Sequence, residues 1–216
     1  MFGIFIDVTG RKQAEEANEL LAGEMSHRVK NLLAIARGLT EITSRSTETA
    51  KEMARDLTMR LTALGRAHDL VRPLNSSQGQ AALLGDLLSV LLAPYDDLGA
   101  FSGRIRVSVP RMGVGEGAAN ALAMVVHELA TNSLKYGALS VPTGLLDVSS
   151  DSQGEEVIIT WTERGGPAAH APTGTGYGAK LVERILSGQL RGWIERDWTT
   201  GGLIARLRMR AESLAV

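Results

Sequence analysis

The residues best suited to chemistry form a polar stripe in the segment VVHELATNSLKYG, where Glu128, Asn132 and Lys135 follow at spacings of four and three. This spacing places the three side chains on one face of a helix. Carboxylate and amide oxygens bind Mg²⁺ directly or through its waters, and a lysine ammonium is a point charge for phosphate oxygens. The stripe suits a metal-phosphate site, but a solvated helix face fits the same spacing.

Two glycine clusters follow this stripe. The first, Glu163-Arg164-Gly165-Gly166-Pro167, ends a predicted strand, and the second, Gly174-Thr175-Gly176-Tyr177-Gly178, precedes a predicted helix. Glycines before a helix N-terminus let backbone N–H groups approach phosphate oxygens. The second cluster is neither a Walker A loop, since no Gly-Lys-Ser/Thr follows, nor a Rossmann fingerprint, since no strand leads directly into it. By itself it indicates no more than a loop. Residues 168–173, between the clusters, fit a short lid.

A histidine in the N-terminal region offers a candidate nucleophile. In the predicted helix His27 lies about 200° from the apolar residue Met25, so it faces solvent. Glu24, one turn earlier, can accept the Nδ1 proton and leave Nε2 with a free lone pair. Charged and polar residues share this side of the helix. Periodicity alone therefore favours the simpler interpretation, a solvated charged face.

The composition is that of an ordinary globular chain. Its 216 residues allow one domain or two small ones, with 44% hydrophobic and 22% charged residues. A net charge of -1 argues against a nucleic-acid-coating protein and against electrostatic membrane binding. The lack of cysteine excludes disulfides and Cys-ligated zinc. No apolar run approaches the ~20 residues of a membrane span, and the start has no signal-peptide pattern. We expect a cytoplasmic protein without nucleic-acid or membrane partners.

The first third of the chain predicts a helical hairpin. Two long helices, roughly Arg11–Ser44 and Thr47–Val71, are separated by a turn in which Glu48 follows a Ser/Thr-rich start signal. Each helix carries one narrow apolar seam, at Met25, Val29, Leu32, Ala36 and Leu39 in the first and at Met53, Leu57, Leu61, Leu64, His68 and Val71 in the second. Such a hairpin cannot enclose a core alone, so we expect a homodimer with a four-helix bundle.

The rest of the chain predicts an α/β domain, after a linker over residues 72–80. Helices are expected at Ala81–Leu92, Glu116–Tyr136 (ended by Gly137) and Ala179–Leu186. Strands are expected at Ile105–Val109, Leu145–Ser149, Glu156–Glu163, Gly192–Trp198 and Leu203–Met209. Leu122, Val126 and Leu129 should pack the central helix on a mixed sheet. The fold class is α/β (α+β) with two domains.

The order of these motifs resembles the ATP-binding fold of histidine kinases, gyrase, heat-shock ATPases and MutL. With the upstream segment EMSHRVKN, the resemblance narrows to the HWE group of bacterial sensor histidine kinases. The group takes its name from a histidine in the N box, here His127, and a Trp-x-Glu, here Trp161-Thr162-Glu163. The resemblance covers the chain from about Ala17 to the C-terminal strand. The segment FGIFIDVTGRKQAEEA resembles the last strand and exit helix of a PAS or LOV sensor, whose body is missing from the sequence.

The resemblance implies a domain organisation and an activity. Residues 1–16 would be the PAS/LOV remnant, 17–73 the dimerisation and phosphotransfer hairpin, and 80–212 the catalytic domain. The activity would be that of a two-component sensor kinase, with ATP and Mg²⁺ as cofactors. Its partners would be a second copy of the chain, the upstream sensor and the receiver domain of a response regulator.

The resemblance also assigns roles to residues. His27 would accept the γ-phosphoryl group, while Glu128 and Asn132 would position Mg²⁺ and Glu128 would also act as a base. Because Arg28 follows His27 where typical kinases have an acid, Glu24 is our candidate for the general base on geometry. Phosphate and base contacts would come from Lys135, Tyr136, Glu163, Gly165, Gly174, Gly176, Tyr177 and Gly178.

The adenine contacts, the two family markers and two further histidines need comment. Glu163 stands where most histidine kinases have the Asp that reads the adenine amino group, and its carboxylate can accept the same hydrogen bond. Gly165 would leave room for the adenine ring. His127 and Trp161 mark the family, but the sequence gives neither a catalytic role, and packing beside the site explains them equally well. His68 is expected in the bundle seam, and His170 receives no role.

Two other functions fit parts of the sequence. A non-catalytic dimerisation and docking protein could retain the fold, but His27, Asn132 and both glycine clusters favour an active kinase. An anti-sigma-type serine kinase would lack the long hairpin with its HRVKN histidine and ranks last. The short interval between the N box and GTGYG leaves no room for a separate, long lid.

Overall fold

The computed structural model describes residues 9–71, 82–96, 103–171 and 176–215. Most of the predicted PAS/LOV strand, the linker over residues 72–80 and Gly174 lie outside the described residues. Among the described residues, no helix has both the length and the apolar character needed to cross a membrane.

The N-terminal part is the predicted helical hairpin, with α1 over Thr9–Ser46 and α2 over Ala50–Val71. The start of α2 differs from the expectation. Thr49 is its cap: the backbone N–H of Glu52 donates to Thr49 Oγ1 at 3.2 Å, and the N–H of Thr49 donates to Glu52 Oε2 at 3.3 Å. This reciprocal capping box satisfies two N–H groups that a helix start leaves unpaired.

The C-terminal part contains a five-stranded sheet in the order β2-β4-β5-β7-β6. Only β2 and β4 are parallel, and the other neighbours are antiparallel. The strands are β2 (Ile105–Ser108), β4 (Leu145–Gln153), β5 (Glu156–Arg164), β6 (Trp193–Thr199) and β7 (Gly202–Arg210). The helices are α3 (Leu84–Asp96), α4 (Glu116–Tyr136), α5 (Tyr177–Gln189) and the short α6 (Ala211–Leu214). The expected α/β domain with helices on a mixed sheet is confirmed.

Small elements were not predicted. The two-residue strands β1 (Ala82–Leu83) and β3 (Gly113–Val114) pair with each other, and a 3-10 turn covers Ala138–Ser140. The predicted helix from Ala81 is wrong at its start, because Ala82 and Leu83 pair with β3 before α3 begins. Elements this short depend on a tertiary partner, so local sequence carries little signal for them.

Helix α4 is the centre of the molecule. Every residue from Ala118 to Ala130 is buried, including the predicted core residues Leu122, Val126 and Leu129. A helix that is buried on all sides needs neighbours on all sides, and α4 contacts α2, α3 and α5. The helical hairpin is therefore docked on the C-terminal domain.

Docking changes which face of α2 is buried. The buried residues of α2 are Arg60, Ala63, Leu64 and Ala67. Of the predicted seam, Leu64 belongs to this face, but Leu61 is 40% exposed. The seam is thus only part of the buried surface, because α2 packs against α4 as well as α1.

Candidate functional site

The predicted polar stripe of α4 is divided by its surroundings. Asn132 and Lys135 are exposed near the end of the helix, whereas Glu128 is only 5% exposed. The solvated-face interpretation is therefore wrong for Glu128. A buried carboxylate requires a partner, because transfer of an unpaired charge from water is costly.

Arg60 of α2 is the partner of Glu128. Its Nε lies 2.8 Å from Glu128 Oε1, and both side chains are buried. The Arg60 guanidinium also donates from Nη1 to Thr43 Oγ1 of α1 at 2.5 Å. Burial raises the pKa of Glu128, and the charge of Arg60 and its hydrogen bond oppose that increase. One arginine thus joins both hairpin helices to the N-box carboxylate.

Two further polar contacts follow the same interface. Asp56 Oδ2 lies 4.0 Å from Lys135 Nζ, and His68 Nδ1 lies 3.6 Å from Glu116 Oε1. Residue numbers rise along α2 as those of their partners fall along α4, so the two helices pack antiparallel. The His68 side chain therefore contacts α4 and does not belong only to the seam of the hairpin.

The family-marker histidine, His127, is a buried hydrogen-bonding residue. Its Nδ1 lies 2.5 Å from the Tyr95 hydroxyl of α3. Burial, helped by the charge of Arg60, lowers the pKa of His127 to about 4, and burial raises that of Tyr95 to about 12. At neutral pH the imidazole is uncharged and the phenol protonated, so a neutral hydrogen bond joins the two side chains. This pair joins α3 to α4 beside Glu128.

The other family marker, Trp161, contacts the predicted adenine reader. The Trp161 indole N–H donates to Glu163 Oε1 at 2.9 Å. The backbone N–H of Ala138, after α4, donates to Glu163 Oε2 at 2.7 Å. Glu163 is 4% exposed and Trp161 is 1% exposed. The carboxylate is thus held at the junction of β5 and the end of α4.

Glycine is favoured at three positions around Glu128 and Glu163. A Cβ on Gly137 would collide with Glu163 Oε2, which explains why glycine ends α4 although its φ of -110° is open to any residue. Gly165, after β5, has φ of +70°, which favours glycine. Gly178 is similarly constrained, because a Cβ there would collide with Glu128 Oε2. The first turn of α5 therefore lies directly against Glu128.

The remaining site residues are exposed or undescribed. Tyr136 and Tyr177 are exposed, and Lys180 Nζ lies 5.8 Å from the ring centroid of Tyr177. Gly176 precedes α5. His170 is exposed, near the point where the N–H of Ala169 donates to Thr199 O at 3.3 Å.

The candidate phosphoacceptor lies on the long first helix. His27 and Glu24 are one turn apart in α1, but their side chains lie outside the described part of the structure. Their predicted exposure and mutual geometry stay predictions.

The donor set fits a metal-nucleotide ligand in part. The Asn132 amide and Lys135 ammonium are accessible, whereas the Glu128 carboxylate is buried against Gly178. Within the described ranges, no three His, Asp or Glu side chains cluster as a metal site. A cation held here would therefore share its ligands with phosphate oxygens, as Mg²⁺ commonly does. One of the two oxygens of Glu128, Oε1, is already paired with Arg60.

Comparison with known proteins shows which family the chain resembles. The model of the HWE histidine kinase family matches residues 24–111. Over these residues the chain is similar to the HWE histidine kinases. A blue-light-activated histidine kinase of Brucella anthropi is 36% identical over 211 residues, which cover 94% of this chain and 41% of the relative. Blue-light-activated histidine kinase 1 of Erythrobacter litoralis is 31% identical over 206 residues, covering 94% of this chain and 56% of the relative.

The solved structures agree on the fold. The histidine kinase domain of an Erythrobacter litoralis blue-light activated histidine kinase superposes with a TM-score of 0.58 at 17% identity, covering 86% of this chain and 96% of that domain. The chain spans about half the length, or less, of the curated relatives above.

The structure adds three functional candidates that the sequence analysis missed. Arg60 and Asp56 lie four residues apart on α2, but nothing in the sequence separated them from other charged helix residues. Tyr95 is an isolated tyrosine near the end of a helix. A contact between α2 and α4 is non-local, so periodicity within one helix cannot reveal it.

Proposed function

We propose that this chain is the transmitter region of a sensor histidine kinase, which uses Mg·ATP to phosphorylate His27 and passes the phosphoryl group to an aspartate of a response regulator. The observation that carries this proposal is the pairing of two buried carboxylates with the glycines around α4. Glu128 lies against the start of α5, and Glu163 lies against Gly137.

The spacing of these two positions suits an elongated ligand. Gly137 follows Glu128 by nine positions along α4 and its end, a rise of about 14 Å at ~1.5 Å per residue. Asn132 and Lys135 lie between them on α4. A nucleotide with its base at Glu163 and its phosphates toward Glu128 would pass both. Its phosphates would then meet the N-terminus of α5, which carries partial positive charge.

The proposed roles follow from the chemistry of each group. Asn132 and Glu128 would hold Mg²⁺, which when bound neutralises charge on the phosphate oxygens. Lys135 would contact phosphate, and Glu163 would accept a hydrogen bond from the adenine amino group. Tyr136, Gly165, Gly174, Gly176 and Tyr177 would complete the pocket. Since Arg60 now pairs with Glu128, we infer that α2 shifts when Glu128 takes up its metal role.

The transfer itself is a displacement at phosphorus. Nε2 of His27 attacks the γ-phosphorus, a P–N bond forms, and the bond to the β,γ-bridging oxygen breaks to release ADP. Glu24 accepts the Nδ1 proton, so the ring of the phosphoimidazole carries no positive charge. A receiver aspartate then attacks the same phosphorus, and the P–N bond breaks.

Exposed apolar residues of the hairpin support a homodimer. Val29 and Leu33 of α1 are 52% and 64% exposed, and Met59 and Leu61 of α2 are also exposed. Covering them with a second hairpin would bury the apolar surface that one copy leaves in water. Leu33→Glu should therefore shift the mass measured by light scattering from dimer to monomer. A monomeric wild-type chain would contradict the homodimer.

The proposal also includes the surroundings of the chain. Its boundaries are a PAS/LOV remnant over residues 1–16, a phosphotransfer hairpin over 17–73 and a catalytic domain over 80–212. The sensor would precede the hairpin, in keeping with the similarity to blue-light-activated histidine kinases. We place the protein in the cytoplasm, where ATP is available.

Labelling with γ-labelled ATP tests the activity. The account predicts a protein-bound label that is lost in acid and retained in base, as phosphohistidine is. A label stable in acid would indicate a serine kinase, and no label would indicate a docking protein. Either result would contradict the proposal.

Base recognition tests the nucleotide assignment. Guanine presents O6 where adenine presents an amino group, so two acceptors would face each other in a buried site. We expect roughly ten- to a hundredfold weaker GTP binding from a cost of ~1–3 kcal/mol. Glu163→Gln can donate to O6 and should narrow the gap, whereas Glu163→Ala should weaken ATP binding alone. Equal affinity of the wild type for ATP and GTP would remove Glu163 as the reader.

A further inference from the structure

Trp161 donates a hydrogen bond to Glu163, the residue to which the proposed function assigns base recognition. On a strand, side chains two residues apart project from the same face. This places the Trp161 indole beside the Glu163 carboxylate, with the Nε1–Oε1 distance at 2.9 Å. Both side chains are buried. The hydrogen bond therefore lies in a low-dielectric environment, where it is electrostatically stronger than in water.

The two oxygens of Glu163 have different partners. Oε1 accepts from Trp161, and Oε2 accepts from the backbone N–H of Ala138 at 2.7 Å. The Ala138 donor is main chain, so substitution of a side chain does not remove it. The indole N–H is the second point that stops the carboxylate from rotating about its last torsion. That torsion is otherwise broad, with no sharp staggered minima.

We propose that Trp161 is a positioning residue for nucleotide selection. Its N–H fixes the plane of the Glu163 carboxylate, so the remaining lone pairs point to where the amino group of an adenine base would lie. Without this donor, the carboxylate would turn and lose its alignment with ATP. This inference rests on the proposed role of Glu163 and explains why tryptophan and glutamate occur together in the Trp-x-Glu motif.

The chain contains a matched control. Trp193 and Glu195 of β6 have the same spacing, and the Trp193 indole N–H donates to Glu195 Oε1 at 3.1 Å. This pair lies on the edge strand, and Trp193 is 47% exposed. It has the same bond without the burial and without a nearby site glycine. Trp193→Phe therefore removes an indole N–H bond that has no role in the proposed pocket.

The experiment compares equilibrium binding of ATP and GTP, each with Mg²⁺, to wild type, Trp161→Phe and Trp193→Phe. We expect Trp161→Phe to weaken ATP binding about tenfold and GTP binding much less. The ratio of the affinity for ATP to the affinity for GTP (the ATP/GTP ratio) should therefore fall about tenfold. Trp193→Phe should leave both affinities unchanged. In a Glu163→Gln background, Trp161→Phe should add little, because residues that act through each other are not additive.

A second variant covers the case in which Trp161→Phe does not fold. Replacement of Trp161 by 3-benzothienylalanine keeps the shape of the indole but lacks its N–H, and should lower the ATP/GTP ratio similarly. An unchanged ratio in a folded Trp161 variant would overturn the inference, as would full additivity with Glu163→Gln. If Glu163→Ala abolishes ATP selectivity while Trp161→Phe does not, only this inference fails. If Glu163→Ala binds ATP normally, the base-reader assignment fails and this inference with it.

Discussion

Glu128 lies on α4 and Glu163 lies beside the end of that helix, and both are almost fully buried, at 5% and 4% exposure. They are stabilised in different ways. Glu128 pairs with a cation from another part of the chain, Arg60 of the hairpin. Glu163 accepts hydrogen bonds from two uncharged N–H groups of its own domain, the Trp161 indole and the Ala138 main chain.

This difference determines which carboxylate depends on the arrangement of the hairpin. If α2 moves away from α4, Glu128 loses its cation while Glu163 keeps both donors. Burial raises the pKa of Glu128, so the loss of Arg60 would leave that group poorly stabilised as an anion. The proposed base-recognition end of the site therefore depends on contacts within its own domain, and the proposed phosphate end is coupled to the hairpin.

Removal of Arg60 should have the largest effect. Arg60→Met leaves the Glu128 carboxylate buried without its cation, and breaking a buried pair in this way typically costs about 3–5 kcal/mol. We expect a loss of this size in the free energy of unfolding at pH 7, measured by urea denaturation. Arg55→Met is the control, because Arg55 is exposed and pairs with Asp56 at 3.6 Å, and its effect should be below about 1 kcal/mol. Equal effects of the two variants would show that the buried pair contributes nothing special.

Acidification should have the next largest effect, through His127. Its pKa is about 4 in the folded chain and ~6.5 when unfolded, so the unfolded state binds more protons between these values. The contribution of His127 to the free energy of unfolding is fully present above pH 6.5 and is lost as the pH decreases toward 4. The loss is about 2 kcal/mol between pH 7 and pH 5. The raised pKa of Glu128 acts in the opposite direction. The contribution of His127 is therefore the difference in pH slope between wild type and His127→Gln, and identical slopes would contradict it.

The two Trp-Glu pairs should give the smallest effects on stability. Trp161→Phe leaves a buried acceptor without its donor and should destabilise the fold by about 1–3 kcal/mol. Trp193→Phe removes a bond at the surface, where water replaces it, and should change stability by less than about 0.5 kcal/mol. Thermal melts of both variants measure this contrast. A larger loss for Trp193→Phe would reverse the ranking.

The structural features that the sequence predicts are those determined by neighbouring residues in the chain. The bounds of α4, Glu116–Tyr136, agree with the sequence prediction, because a long helix ending at glycine is marked by its own residues. The strand β5 and its terminal acid were predicted for the same reason.

Features that depend on distant partners were missed. The contact between Arg60 and Glu128 joins residues far apart in the chain, and the bond between Tyr95 and His127 joins two helices. Burial of the Glu128 carboxylate follows from the docking of α2, which no periodicity within α4 reports. The role of Trp161 was also open from the sequence, since its partner became clear only with the side-chain geometry of β5.

Mapping the site of labelling tests the central claim most directly. After incubation with γ-labelled ATP and Mg²⁺, we expect His27→Gln to carry no base-stable label while it binds ATP with nearly unchanged affinity. His68→Gln and His170→Gln should be labelled like the wild type. Undiminished labelling of His27→Gln, or loss of labelling in either control while ATP binding persists, would contradict the account.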